Sequence, residues 1–140
     1  MDSRQQFTEI MKKTMTMALA TCADGKPNVR IVSFCYDEAT PGTAYFTTDR
    51  DNDKIREFAR NDAVAFTTIP ADGLAHARVK TGSVKKSGKT LDAMKDLFIS
   101  QIPSIAGRME HMGAGMDVYE ITFSEAVMVV GPQRAERLTF

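Results

Sequence analysis

The chain has 140 residues, of which 18 are Lys or Arg and 18 are Asp or Glu, so its formal charge is zero. That length suits one domain, 1–140, with a real core. The balanced charge argues against nucleic acid or an anionic membrane as the main partner, since either normally leaves a basic footprint. The apolar runs are too short to span a bilayer, and the charged start MDSRQQFTEIMKK lacks the apolar segment of a secretory signal. A cytoplasmic protein is expected. Its cysteines, Cys22 and Cys35, then read as small buried hydrophobes and not as a disulfide.

In chain order, Ser3 to about Thr14 predicts a helix capped by Ser3, with Phe7, Ile10 and Met11 on one face. Thr16–Thr21 predicts a first strand. Ala23-Asp24-Gly25-Lys26-Pro27 is a hairpin turn, because Asp-Gly accommodates positive φ and Pro27 bars continuation. A second strand runs from Asn28 to Tyr36 and a third from Thr43 to Thr48, separated by a Pro41-Gly42 turn. A helix follows to about Arg60, its buried stripe being Ile55, Phe58 and Ala59. Ala63–Ile69 is a fourth strand, stopped by Pro70 and an Asp72-Gly73 turn.

Leu74–Lys86 predicts a long fifth strand with His76, Arg78, Lys80 and Gly82 on one face and Ala75, Ala77, Val79, Thr81 and Ser83 on the other. Gly82 marks a bulge or a close backbone approach. Lys80 reads as solvent-exposed, while Arg78 fits either solvent or a site. Thr90 to about Ile102 is helical, with Leu91, Met94, Leu97 and Phe98 on one stripe. Pro103 interrupts it, Ile105–Met112 adds a turn or two with Met109 and Met112 as packing, and Gly113-Ala114-Gly115 is a loop. Val118–Phe123 and Ala126–Val130 are the last strands, and Pro132–Phe140 is expected to be loosely held. Short antiparallel hairpins with helices inserted between them favour a small barrel with flanking helices over a parallel sheet.

The richest chemistry lies between Asn28 and Lys54. In the second strand Val29, Ile31, Ser33 and Cys35 alternate with Arg30, Val32, Phe34 and Tyr36. Both faces are mostly apolar, so both should be covered, which leaves Arg30 partly out of water and in need of an anion. A bidentate carboxylate or phosphate suits its planar fork; an ion pair with an acidic residue of the chain remains open. Thr47 and Thr48 end the third strand. Asp49, Asp51 and Asn52 are all plausible caps for the next helix, whose first turn attracts an anion through free N–H groups and the helix dipole. Lys54 adds a cation there. An ordinary amphipathic helix with a charged outer face fits those residues equally well.

Two histidines, His76 and His111, lack ligand-like company, so no metal site is predicted. No nucleophile elbow, P-loop or Rossmann glycine pattern occurs, and no catalytic acid or base stands out.

ALATCADGKPNVRIVSF, AYFTTDRDNDKIREFARNDAVAFTTI and RVKTGSV, in that order, resemble the flavin-binding split-barrel proteins related to pyridoxamine 5′-phosphate oxidase, from about Met15 to Val130. The resemblance implies a mainly β (α+β) fold, a split β-barrel of about six to seven antiparallel strands with flanking helices. It also implies a homodimer with FMN at the interface. Carried over by position, Arg30 and Lys54 grip the FMN phosphate. Thr48 and Asn52 supply short polar contacts with Thr47 and Asp53 beside them, and main-chain groups of Ile31, Val32 and Ser33 run along the flavin ring. Asn52 departs from the serine common there, and Asp53 adds a negative charge close by. The Arg-x-His signature of the true oxidase is missing from Pro132–Phe140, so pyridoxamine phosphate oxidation is not expected. The function implied is an FMN-dependent oxidoreductase acting with a small-molecule substrate or an electron donor such as NAD(P)H. The alternatives are a non-catalytic flavin-binding or sensing module, and a barrel that takes a deazaflavin or haem in place of FMN.

Overall fold

The computed structural model describes residues 2–112 and 115–140; Gly113 and Ala114 of the expected glycine loop, and the side chain of Met112, lie outside the described residues. The elements run α1 (Ser3–Lys13), β1 (Thr16–Ala23), β2 (Lys26–Ser33), β3 (Cys35–Tyr36), β4 (Thr43–Asp49), α2 (Asp53–Arg60), β5 (Ala63–Ile69), β6 (His76–Lys86), α3 (Leu91–Gln101), α4 (Ile105–Met112), β7 (Met116–Thr122), β8 (Glu125–Gly131) and β9 (Arg134–Thr139). The cap of α1 is Asp2 and not Ser3: its side chain accepts from the Gln5 N–H while the Gln5 side chain accepts from the Asp2 N–H, a reciprocal capping box.

Asp24 and Gly25 take positive φ, 55° and 75°, and fold β2 back on β1 in unbroken register from Ala23↔Lys26 to Thr16↔Ser33. Pro27 does not bar the strand. It sits in β2 opposite Cys22, where a missing donor is tolerated because β2 ends the sheet and pairs on one side only. The expected strand from Asn28 to Tyr36 breaks at Phe34, whose N–H donates to Met15 O at 3.0 Å. The main sheet path is β2-β1-β5-β6-β7-β4-β3, antiparallel throughout. Its first and last strands are separated by Phe34 alone, so the sheet curls on itself and this buried ring marks the seam.

The barrel splits at β6. Its start, His76–Arg78, pairs with β8, while its end, Ser83–Lys86, pairs with β7. Along its edge with β5 the register steps from Val64↔Gly82 to Phe66↔Val79, so β6 carries one residue more than its partner. That bulge reverses the alternation expected for β6. Lys80 and Thr81 are exposed in succession, and Gly82 joins Ala77, Val79 and Val84 on the buried face. A Cβ on Gly82 would lie 3.1 Å from Ile121 Cγ2 and 3.3 Å from Val64, so the glycine also permits a close approach.

The residues expected to be loosely held form β9, paired along β8 from Glu125↔Thr139 to Gly131↔Arg134. Leu138 is buried, and the Phe140 ring lies 5.0 Å from Phe7 and 5.4 Å from Phe123 between centroids. Helix α1 is fastened to this strand: Ser3 Oγ donates to Glu136, Arg4 donates to Thr139 O, and the Arg4 guanidinium stacks 5.3 Å over Phe140. Phe7 and Met11 of α1 are fully buried in the barrel interior with Met17, Leu19, Phe34, Phe46 and Ile121. Full burial of one such ring contributes about 1.5–3 kcal/mol. A second cluster of Cys35, Tyr45, Met94, Phe98, Ile102, Ile105, Met109 and Val118 holds α3 and α4 to the outside of β4 and β7.

Candidate functional site

Arg30 points from β2 into a polar cluster, its side chain 21% exposed. Its Nη2 pairs with Glu57 Oε1, and its Nη1 donates to Thr21 Oγ1 at 3.0 Å and to Leu19 O at 3.4 Å. The other oxygen of Glu57 accepts from Thr21 Oγ1 at 3.1 Å and Asn28 Nδ2 at 3.3 Å. The anion beside Arg30 is thus a carboxylate of the chain itself, delivered by α2 one turn beyond Asp53. Three donors from β1 and β2 converge on that oxyanion, the arrangement that also suits phosphate.

Helix α2 starts where Asn52 Oδ1 accepts the Lys54 N–H at 3.0 Å, which selects Asn52 among the three candidate caps. Lys54 is half-buried, and its ammonium is held below its ordinary pKa. Burial is the main cause, followed by Arg30 and, more weakly, Arg108; Asp49 and Glu57 act the other way. The charges of two guanidiniums thus bear on this lysine. Arg108 comes from α4, and nothing local in the sequence signals its arrival beside α2. Asp49 Oδ1 is buried and without a hydrogen-bond partner among the described residues.

The remaining predicted residues separate by the geometry of their elements. Thr48 is buried and Thr47 half-buried on opposite faces of β4, so their hydroxyls do not face one ligand together. Asp53 is exposed and pairs with Arg56 at 2.9 Å, directing its charge to solvent. Ala59, expected on the buried stripe of α2, is exposed, while Ile55 and Phe58 pack inward. Val32 faces the core and Ser33 is half-buried. Val29 and Ile31 are 63% and 67% exposed, against the expectation that both faces of β2 are covered. Among the described residues no strand pairs with the outer edge of β2, which leaves main-chain groups along Arg30–Ser33 uncommitted to the sheet.

His76 is half-exposed, with Nδ1 2.7 Å from Leu74 O and Nε2 accepting from Arg78 Nε at 3.2 Å. Burial, aided by Asp37, pushes the Cys35 thiol up to about 12, so it is unreactive at neutral pH. Among the described residues no three His, Cys, Asp or Glu side chains gather as a metal site, and no helix is long and apolar enough to cross a membrane.

Burial and the charge of Arg30 together lower the proton affinity of Lys54.

The architecture is that of a split β-barrel: an antiparallel sheet closed at Phe34 and parted at β6. The profile of the pyridoxamine 5′-phosphate oxidase-like family matches residues 10–132, and the chain belongs to that family. No functionally curated protein matches the sequence. Among solved structures, a NimC/NimA family protein from Clostridium acetobutylicum has a TM-score of 0.71 and 18% identity over 97% of this chain and 91% of its own. A haem-binding protein from Mycobacterium smegmatis has a TM-score of 0.77 and 14% identity over 99% of this chain, which spans 58% of that longer protein. An FAD-binding protein from Mesorhizobium loti has a TM-score of 0.64 and 15% identity, covering 89% of this chain and 92% of the other. At such identities the likeness concerns the fold.

Proposed function

We propose that the chain is a cytoplasmic FMN-dependent oxidoreductase that grips the cofactor phosphate with Arg30 and Lys54 and works as a homodimer. The observation that carries this reading is Arg30, partly buried on β2 beside the N-terminal turn of α2, whose charge lowers the proton affinity of half-buried Lys54. Membership of the family and likeness to an FAD-binding protein support a flavin there. Thr48 and Asn52 flank the phosphate end, with Thr47 and Asp53 as neighbours, and main-chain groups of Ile31, Val32 and Ser33 lie along the ring. Bound flavin supplies the two-electron chemistry, while the chain supplies grip, orientation and shielding from water. A second copy covers Val29 and Ile31, whose exposure is otherwise costly. NADH or NADPH is the expected electron donor.

The test is visible absorption and fluorescence of the purified protein with added FMN, then the same titration on Arg30→Ala. Saturable quenching in the wild type, lost in a variant with unchanged circular dichroism, is the expected result. Equal FMN affinity in the variant would remove the phosphate assignment. A colourless protein that ignores FMN would remove the flavin reading altogether, and deazaflavin and haem would then be titrated.

A further inference from the structure

A second cationic site lies on the outer face of the sheet, away from β2 and α2. Cross-strand pairing aligns Arg78 of β6, Val127 of β8 and Arg137 of β9. Directly paired residues point to the same face, so the two guanidiniums flank Val127 across a span of about 10 Å, two strand spacings. The bulge in β6 turns Lys80 and Thr81 outward in succession. These side chains, with Glu125, line a pocket of about 170 Å³. That is room for a phosphate and a few waters, each water occupying about 30 Å³.

The pocket carries an excess of positive charge. Arg30, Arg50, Arg56 and Arg60 each have a carboxylate partner. Among the described residues Arg78, Lys80 and Arg137 form no ion pair, although the molecule as a whole is neutral. Three cations against the single carboxylate of Glu125 leave an excess of two positive charges. Arg78 is also pre-oriented. Its Nε–H donates to His76 Nε2 at 3.2 Å, and His76 Nδ1–H donates to Leu74 O at 2.7 Å. The terminal nitrogens of Arg78 stay free to fork onto an oxyanion, and less freedom is lost on binding.

We propose that this pocket binds a phosphate dianion, either free or carried on a nucleotide. The site stands independently of the flavin reading, because it shares no residue with the Arg30–Lys54 cluster.

The test is a titration of ¹⁵N-labelled protein with inorganic phosphate, chloride being exchanged to hold ionic strength constant. Amides of Lys80, Thr81 and Val127 and the Nε–H groups of Arg78 and Arg137 should shift saturably. Affinity should fall at least tenfold in Arg137→Gln and in Lys80→Gln, both exposed positions, and persist in Lys54→Gln. Shifts that do not saturate, that survive both outer-face variants, or that vanish in Lys54→Gln instead would overturn the proposal. A parallel titration with adenosine 2′,5′-bisphosphate divides the sources. Tighter binding than inorganic phosphate points to a nucleotide, and equal binding to free phosphate.

Discussion

Glu57→Gln separates two roles that one carboxylate plays at the junction of β1, β2 and α2. The change keeps the shape and one acceptor oxygen but removes the charge that pairs with Arg30. Both side chains of the pair are about one-fifth exposed, 21% and 19%, so Arg30 loses its counterion in a setting with limited water. Losing a charged partner costs about 1–3 kcal/mol when the other is partly buried and about 3–5 kcal/mol when fully buried. Here about 2 kcal/mol is expected, a fall in Tm of roughly 8 °C for a domain of this size. FMN binding should move the opposite way. With Glu57 neutral, the phosphate no longer competes for the fork of Arg30 nor meets a like charge, and affinity should rise at least about tenfold, roughly 1.4 kcal/mol. Thermal melts with and without FMN, and fluorescence titrations of both proteins, read the two effects separately. A variant that binds FMN more weakly than the wild type would refute the reasoning: Glu57 would then orient Arg30 for the ligand and not compete with it.

Other positions test other links. Gly42 has φ +80°, and a Cβ there would sit 2.7 Å from Phe123 O, whose N–H in turn donates to Gly42 O at 2.9 Å. Gly42→Ala should cost about 3 kcal/mol by urea denaturation, against about 1 kcal/mol for Gly25→Ala, which has φ +75° but open space. Equal losses would show that strain alone matters at Gly42. Lys54 binds its proton less tightly in the folded chain, so folding is penalised wherever the ammonium is charged, and that penalty fades as pH rises through its lowered pKa towards 10.5. Lys54→Met should therefore be more stable than wild type at pH 7, with the gap closing near pH 10 and FMN binding lost. The raised pKa values of Tyr36 and Tyr119 pull stability down in the same window, but equally in both proteins. A gap that widens with pH would contradict the assignment. Ile31→Glu places a charge on the exposed row of β2 and should convert a dimer to monomer in sedimentation velocity without changing the melt of the monomer. A wild-type chain that sediments as a monomer would remove that interface.

Where local chemistry decides conformation, the chain was readable. Asp24-Gly25 dictated a tight hairpin because positive φ suits those residues. The alternation over Thr43–Thr48 set Ala44 and Phe46 inward and Tyr45 outward onto α3. What escaped detection depends on partners remote in sequence. Phe34 looks like one more apolar strand residue until the two ends of the sheet meet at it. The bulge at Lys80 and Thr81 has no compositional mark; only the ladder to β5 reveals the extra residue. β9 was missed because, within Arg134–Thr139, only Leu138 carries a large apolar side chain. The need of Arg30 for an anion was legible from one strand. Its nearest anion, Glu57, sits on a helix face that reads as solvated, and Arg108 has no signal short of the tertiary fold.

The fastening of α1 to β9 has a bearing on how the molecule is made. Ser3, Arg4 and Phe7 leave the ribosome well before their partners Glu136, Thr139 and Phe140. The contacts that fasten α1 to β9 cannot form until β9 has been made. On the ribosome this helix is a tethered apolar face awaiting its mate, so early exposure of Phe7, Ile10 and Met11 is the stage at which the nascent chain is open to chaperones and to aggregation.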